Sequence, residues 1–198
     1  GPGGGGAGTG GGGGGGGGDG TLCLGGAAGG REDRCELAGG VGGMGRRLAD
    51  GLWRLDLGVV PPGATNCCLV DDGEAVTLSD AGLPINYPSL ATELDRAGYE
   101  RADIDRVLFT HYDIDHVGGA RALRDHGVPM YMGERDVDLV TGAWDPNLVR
   151  HKGLFHRIAR RLFPLAGHDL RPIADGETVG NFTAHHTPGH NPGHTVYT

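Results

Sequence analysis

The alternation of apolar and polar residues first becomes regular at Gly51-Leu52-Trp53-Arg54-Leu55-Asp56-Leu57, the pattern of a half-buried strand. Val59-Val60-Pro61-Pro62-Gly63 breaks it. Asn66 to Val70 predicts a second strand, Asp71-Asp72-Gly73-Glu74 a hairpin turn, and Ala75 to Leu78 the return strand. The period then changes. A helix is predicted from Pro88-Ser89, with Ser89 as its N-cap, Leu90, Leu94 and Ala97 on one face and Gly98 as the stop. Arg106-Val107-Leu108-Phe109-Thr110 follows as a continuous apolar run, which marks a strand buried on both faces, as in parallel sheets. Strand, helix and strand in this order make a βαβ unit with parallel pairing.

Helices are expected over 120–125 and 134–140, with a short strand over 128–132 between them. The stretch from Leu148 to Leu165 reads as a basic amphipathic helix, in which Arg150, Lys152, Arg157, Arg160 and Arg161 interleave with Leu154, Phe155, Ile158 and Leu162. It is expected to be a surface helix packed by its apolar face; the competing reading is a lid whose arginines meet an anionic substrate. His151 and His156 on it are expected to face solvent or cap rather than to bind a metal. Three more strands are expected over 169–173, 181–186 and 195–198. The whole pattern is α/β.

Composition changes the picture mainly at the front. The 198 residues include 42 glycines, concentrated in residues 1–43. Such a segment cannot bury enough apolar surface to offset its backbone entropy, so disorder is expected there, with a folded domain over 44–198. Met44 opens the first stretch of ordinary composition and is the expected natural start. A formal net charge of -8 counts against a nucleic-acid partner. Lys152 is the only lysine. The four cysteines contain no Cys-x-x-Cys pair, and adjacent Cys67 and Cys68 are expected to be small apolar filler pointing to opposite faces of a strand. No apolar run is long enough for a membrane span, and no basic-then-apolar leader opens the chain, so a cytoplasmic location is expected, with no membrane partner.

Candidate chemistry is concentrated in Thr110-His111-Tyr112-Asp113-Ile114-Asp115-His116-Val117-Gly118-Gly119. His111, Asp113, Asp115 and His116 are all potential metal ligands, on a loop at the carboxyl end of the buried strand, where open α/β sheets place their sites. Imidazoles with carboxylates suit zinc, iron or manganese. The segment resembles the signature of the metallo-β-lactamase superfamily, His-x-His-x-Asp-His followed by small residues. A later segment, Thr187-Pro188-Gly189-His190, resembles the place of that family's third histidine ligand. Asp113 departs from the family pattern, standing where its second histidine would be.

The resemblance runs from about Met44 to Thr198 and implies an αββα sandwich. It also implies that His111, Asp113 and His190 hold one metal, that Asp115 and His116 begin a second site, and that Asp115 handles a proton. Two zinc ions are expected in a complete domain, with Asp113 shifting preference toward iron or manganese. Asp80 is expected beside the site, orienting a ligating histidine, or else as a simple strand-end turn residue. His194 is expected to support the ligands, and alternation lets only one of His185 and His186 face the site. The family continues past the position of Thr198 with a bridging aspartate and a final histidine ligand, so the chain is expected to be an incomplete domain lacking its C-terminal part.

Three functions compete on these grounds. The first is a hydrolase related to glyoxalase II and the lactonases, using metal-held hydroxide on an ester, thioester or lactone carbonyl of a small molecule. The second is a truncated, catalytically incomplete metal-binding fragment. The third is a di-iron-type metal module. An oligomer is left open.

Overall fold

The computed structural model describes residues 45–58, 64–144, 151–162, 164–165 and 167–198. Residues 1–44 (the glycine-rich front and Met44), 59–63, 145–150, 163 and 166 lie outside the described residues, as does the side chain of His151.

Four strands open the fold as an antiparallel meander: β1 (Arg46–Ala49), β2 (Leu52–Asp56), β3 (Asn66–Asp71) and β4 (Val76–Ser79). Helix α1 (Tyr87–Ala97) crosses to β5 (Arg106–Phe109), which pairs parallel with β4. The helix begins at Tyr87, ahead of the expected Ser89 cap. Pro88 sits inside its first turn, where a missing N–H costs no helical bond. Gly98 ends it at φ 87°, as expected of a left-handed stop.

Two short helices, α2 (Ile114–Val117) and α3 (Ala120–Arg124), follow β5. Then come β6 (Met130–Gly133), α4 (Glu134–Thr141), α5 (His151–Leu162) and β7 (Leu170–Ile173). Strands β4 to β7 are parallel, and the first sheet has the order β1-β2-β3-β4-β5-β6-β7. A second sheet, antiparallel and ordered β10-β9-β8, is made by β8 (Thr178–Val179), β9 (Phe182–His186) and β10 (Thr195–Tyr197).

Strand alternation distributes the core between two layers. Val107 and Phe109 face one way, packing with Leu78, Met130 and Met132 and with Leu90, Leu94, Leu123 and Leu139 of the helices. Leu108 faces the other way and joins Ile173, Val179, Ala184 and Tyr197 between the two sheets. β5 is therefore covered on both faces, as its unbroken apolar run requires. The order helix layer, sheet, sheet is the α/β architecture expected from the sequence.

Helix α5 departs from expectation. Its buried face carries Gly153, His156 and Ala159, while Leu154, Phe155, Ile158 and Leu162 are exposed. Small residues let the helix approach closely, and Arg160 donates to the carbonyl of Leu139 at 2.7 Å, anchoring α5 to α4. His156 is buried and stacks on Tyr112, with ring centroids 5.6 Å apart, rather than facing solvent. Among the described residues no helix is long and apolar enough to cross a membrane.

Candidate metal centre

The site forms where two chain segments leave strands of the two different sheets. Thr110 to His116 emerges from the carboxyl end of β5, and Thr187 to His194 joins β9 to β10. Thr195 donates its N–H to the carbonyl of Thr110 at 2.8 Å, which docks the second segment on the first. The carboxylate of Asp136, on α4, accepts from the N–H of Tyr112 and of Gly193, both at 2.7 Å. Gly193 is required at this junction, since a Cβ there would lie 2.4 Å from the backbone nitrogen of Asp136.

Three donor groups converge between these segments: His111, Asp113 and His190 each bring one ligand atom within 4.8 Å of the others. His111 is only 4 % exposed. Its Nδ1 lies 3.0 Å from Oγ1 of Thr110, whose hydroxyl also reaches both carboxylate oxygens of Asp80 at 3.0 and 3.1 Å. The threonine has one proton to give, and the carboxylate must receive it. Nδ1 of His111 therefore carries the proton it donates to Thr110, an assignment made from the hydrogen-bond network. In the neutral ring this leaves the lone pair on Nε2. That atom is buried without a hydrogen-bond partner, 3.4 Å from Oδ2 of Asp113.

Asp113 is heavily engaged. Its Oδ2 lies 2.8 Å from the ammonium of Lys152 and 2.9 Å from Nε2 of His190, and its Oδ1 accepts from the Asn191 amide at 3.1 Å. Burial acts to raise its pKa, but His111, Lys152 and Asn191 outweigh that and hold the carboxyl well below the ordinary aspartate range. The carboxylate is thus charged at any physiological pH.

Asp115 and His116 lie on α2, beside this group rather than in it. The His116 ring is 3.9 Å from that of His111, centroid to centroid. Its Nδ1 stands 3.0 Å from Oδ2 of Asp80, and its Nε2 is 3.6 Å from Oδ2 of half-exposed Asp115. Burial would lower the pKa of His116, but Asp80, Asp115 and Asp113 raise it. His194 lies 5.2 Å from His111, ring to ring, with Nδ1 at 2.8 Å from Thr187 Oγ1; burial and the nearby His111 and His190 lower its pKa. His185 and His186 pair with Thr198 and with the carbonyl of Ile173, away from the group of three.

Four residues at the centre went unrecognised in the sequence: Thr110, Asp136, Lys152 and Asn191. Only Lys152 carried a signal, as the single lysine in a stretch otherwise basic through arginine.

Residues 60–198 match the metallo-beta-lactamase superfamily. This chain belongs to that superfamily. A curated relative, the uncharacterized protein YobT of Bacillus subtilis (strain 168), is 32% identical over 133 residues, which are 63% of this chain and 52% of that protein. Among solved metallo-beta-lactamases, BJP-1, a subclass B3 enzyme of Bradyrhizobium japonicum, is 25% identical, with a TM-score of 0.58 over 76% of this chain and 54% of that one. FEZ-1 from Legionella gormanii is 23% identical and shares the fold, with a TM-score of 0.61 over 78% of this chain and 57% of that one. The chain thus spans a little over half the length of each of these three proteins.

The residues present fit the metal that the superfamily implies. A buried imidazole lone pair without a partner, a charged carboxylate and a second imidazole face a common point. A cationic ammonium group already lies against two of the three.

Proposed function

We propose that this chain carries the metal-binding part of a hydrolase acting on an ester, thioester or lactone-type carbonyl of a small molecule. The observation that carries the reading is the convergence of His111 Nε2, buried and unbonded, with Asp113 and His190 from a separate segment. These three would hold one metal, and Asp115 and His116 would begin a second position. Zinc suits imidazole with carboxylate, and the carboxylate at 113 makes iron or manganese a competitor. A bound divalent ion supplies Lewis acidity and lowers the pKa of water into the neutral range.

The chain's own residues orient and exchange protons. Thr110 fixes the tautomer of His111, leaving its Nε2 lone pair free, and Asp80 holds the ring of His116 through Nδ1. Asp115, half-exposed beside His116, would take a proton from water and return it to the leaving group. Tyr112 and Ile114, on either side of Asp113, line a cavity of about 310 Å³ together with Tyr87, Val117, Leu162 and Leu165. Its lining is largely apolar but includes none of the candidate ligands, so it flanks the site and does not by itself select a substrate.

A second reading, a metal-binding module without turnover, draws support from the position of Asp115 and His116 outside the group of three. One experiment separates the two. The full chain is loaded with zinc, iron or manganese and assayed on an aryl ester, an acyl thioester and an acyl lactone. Metal-dependent turnover abolished by His111→Ala and by Asp113→Asn supports the hydrolase. Stoichiometric metal without turnover supports the module, and turnover that survives both substitutions contradicts both readings.

A further inference from the structure

Lys152 makes three contacts from α5. Its Nζ lies 2.8 Å from Oδ2 of Asp113, 3.0 Å from Nε2 of His190 and 3.1 Å from Oδ1 of Asn191. An ammonium has three protons and no acceptor, so this set can satisfy it completely. The side chain is well enclosed, with 27% of its surface exposed, and Asp113 beside it has 14%.

Two of these three partners belong to the group of candidate metal ligands. Nε2 of His190 sits between Lys152 and Asp113, 3.0 Å from one and 2.9 Å from the other. If Nε2 is bare, it accepts from Lys152; if it is protonated, it donates to Asp113. In either arrangement the lone pair that a metal would take is already used. Oδ2 of Asp113 faces the ammonium at the shortest distance of the set. That oxygen keeps a further lone pair, but an ammonium and a metal ion held on it and on Nε2 of His190 repel each other as like charges at close range.

We infer that Lys152 is a built-in counter-cation of the metal centre, occupying it when no metal is bound and displaced from it when one is. The inference rests on the assignment of His111, Asp113 and His190 as ligands. The exchange has a structural consequence, because Lys152 lies in the first turn of α5. Losing three contacts unfastens that end of the helix from the loop of His190 and Asn191. The anchor at the other end, Arg160 to the carbonyl of Leu139, does not involve the metal ligands and remains. Metal occupancy is thereby coupled to the attachment of α5, and the coupling is reciprocal: whatever holds Lys152 in place weakens metal binding by the same factor.

The sequence supplies a clean probe. Lys152 is the only lysine, so it carries the only side-chain amine, and acylation of it is read at one peptide. The full chain is pulsed with an amine-acylating reagent at a single pH, with and without zinc, and the modified fraction of Lys152 is measured by mass spectrometry. Zinc affinity is measured in parallel for the unmodified chain and for Lys152→Met and Lys152→Gln, whose melting curves report whether they fold. The expected result is faster acylation of Lys152 in zinc, and zinc affinity about tenfold higher in a folded variant, a coupling of ordinary size for ligands that exclude each other.

Zinc binding with an unchanged acylation rate overturns the inference and leaves the ligand assignment standing. Equal zinc affinity in the unmodified chain and in a folded variant does the same. Zinc binding by the variants alone supports the inference in its strongest form. Absence of zinc binding in all three chains overturns the inference together with the ligand assignment. The acylation experiment uses the unmodified chain, so it decides the matter even if both variants fail to fold.

Discussion

Oδ2 of Asp80 stands 3.0 Å from Nδ1 of His116, and the backbone that places it there is left-handed, with φ 62° at Asp80. Asp80 is the one non-glycine residue at positive φ among the described residues. Aspartate tolerates this region better than most residues, yet the conformation still costs energy, and such costs collect at functional sites. The carboxylate also accepts from the N–H of Thr110 at 2.9 Å. One residue thus fixes both the end of β5 and the ring of His116.

Replacing Asp80 separates these duties. Asp80→Ala removes every acceptor and leaves the Thr110 N–H unpaired, a loss of about 1–3 kcal/mol in stability. Metal affinity is expected to fall about 10–100-fold through loss of ligand orientation. Asp80→Asn keeps an acceptor and the tolerance for positive φ but loses the charge, so its melting temperature falls less. The His116 titration, followed by NMR in the metal-free protein, moves to lower pH in Asp80→Asn. Since the folded value of His116 is raised, its contribution to stability is full below the unfolded pKa and is lost as pH rises through the folded one.

Asp136 is fully buried and ties the two segments of the site together through Tyr112 and Gly193. Burial raises its pKa despite those two N–H donors. Asp136→Ala strands both donors, at about 1–3 kcal/mol each. Thermal unfolding is expected to show this loss, with His190 displaced from His111 and Asp113 in the fraction that folds. Gly193→Ala is expected to do the same for a steric reason, as its Cβ would meet the Asp136 backbone and side chain.

Asp72 links the first hairpin to the second sheet. It accepts from the N–H groups of Glu74 and Ala75 at 3.0 and 2.8 Å and from the Asn181 amide at 2.9 Å. Partial burial acts to raise its pKa, but these donors and nearby Arg106 lower it. A lowered carboxylate stabilises the fold above its unfolded pKa, and the contribution disappears as pH falls through the folded value. Denaturant titrations of the unmodified chain and of Asp72→Asn should therefore differ by a constant amount at neutral pH and converge in acid. A gap that stays constant into acid contradicts this role for Asp72.

Much of this was legible from pattern. The unbroken apolar run of β5 gave away a strand covered on both faces, and the histidine–aspartate cluster following it marked one of the two segments of the candidate metal centre. The period of 2 located β2, β3 and β4, and the glycine at 98 the end of α1, to within a residue or two, whereas β1 was not expected. Three features were hidden because they depend on tertiary contact. Helix α5 buries Gly153, His156 and Ala159 instead of its apolar stripe, since close approach to its neighbours selected small residues. Lys152 reaches Asp113 across 39 positions of sequence, and Asp136 reaches Gly193 across 57. No local period records either pairing. The left-handed turn at Asp80 was equally invisible, because aspartate at a strand end fits several turns.

The most direct test of the account is a zinc titration of the full chain by calorimetry, set beside His111→Ala, Asp113→Ala and His190→Ala. One tight site per chain is expected, weakened by about tenfold or more by each of the three substitutions and unchanged by His185→Ala. Zinc affinity that is indifferent to His190 would contradict this, because the two segments would then not share a metal.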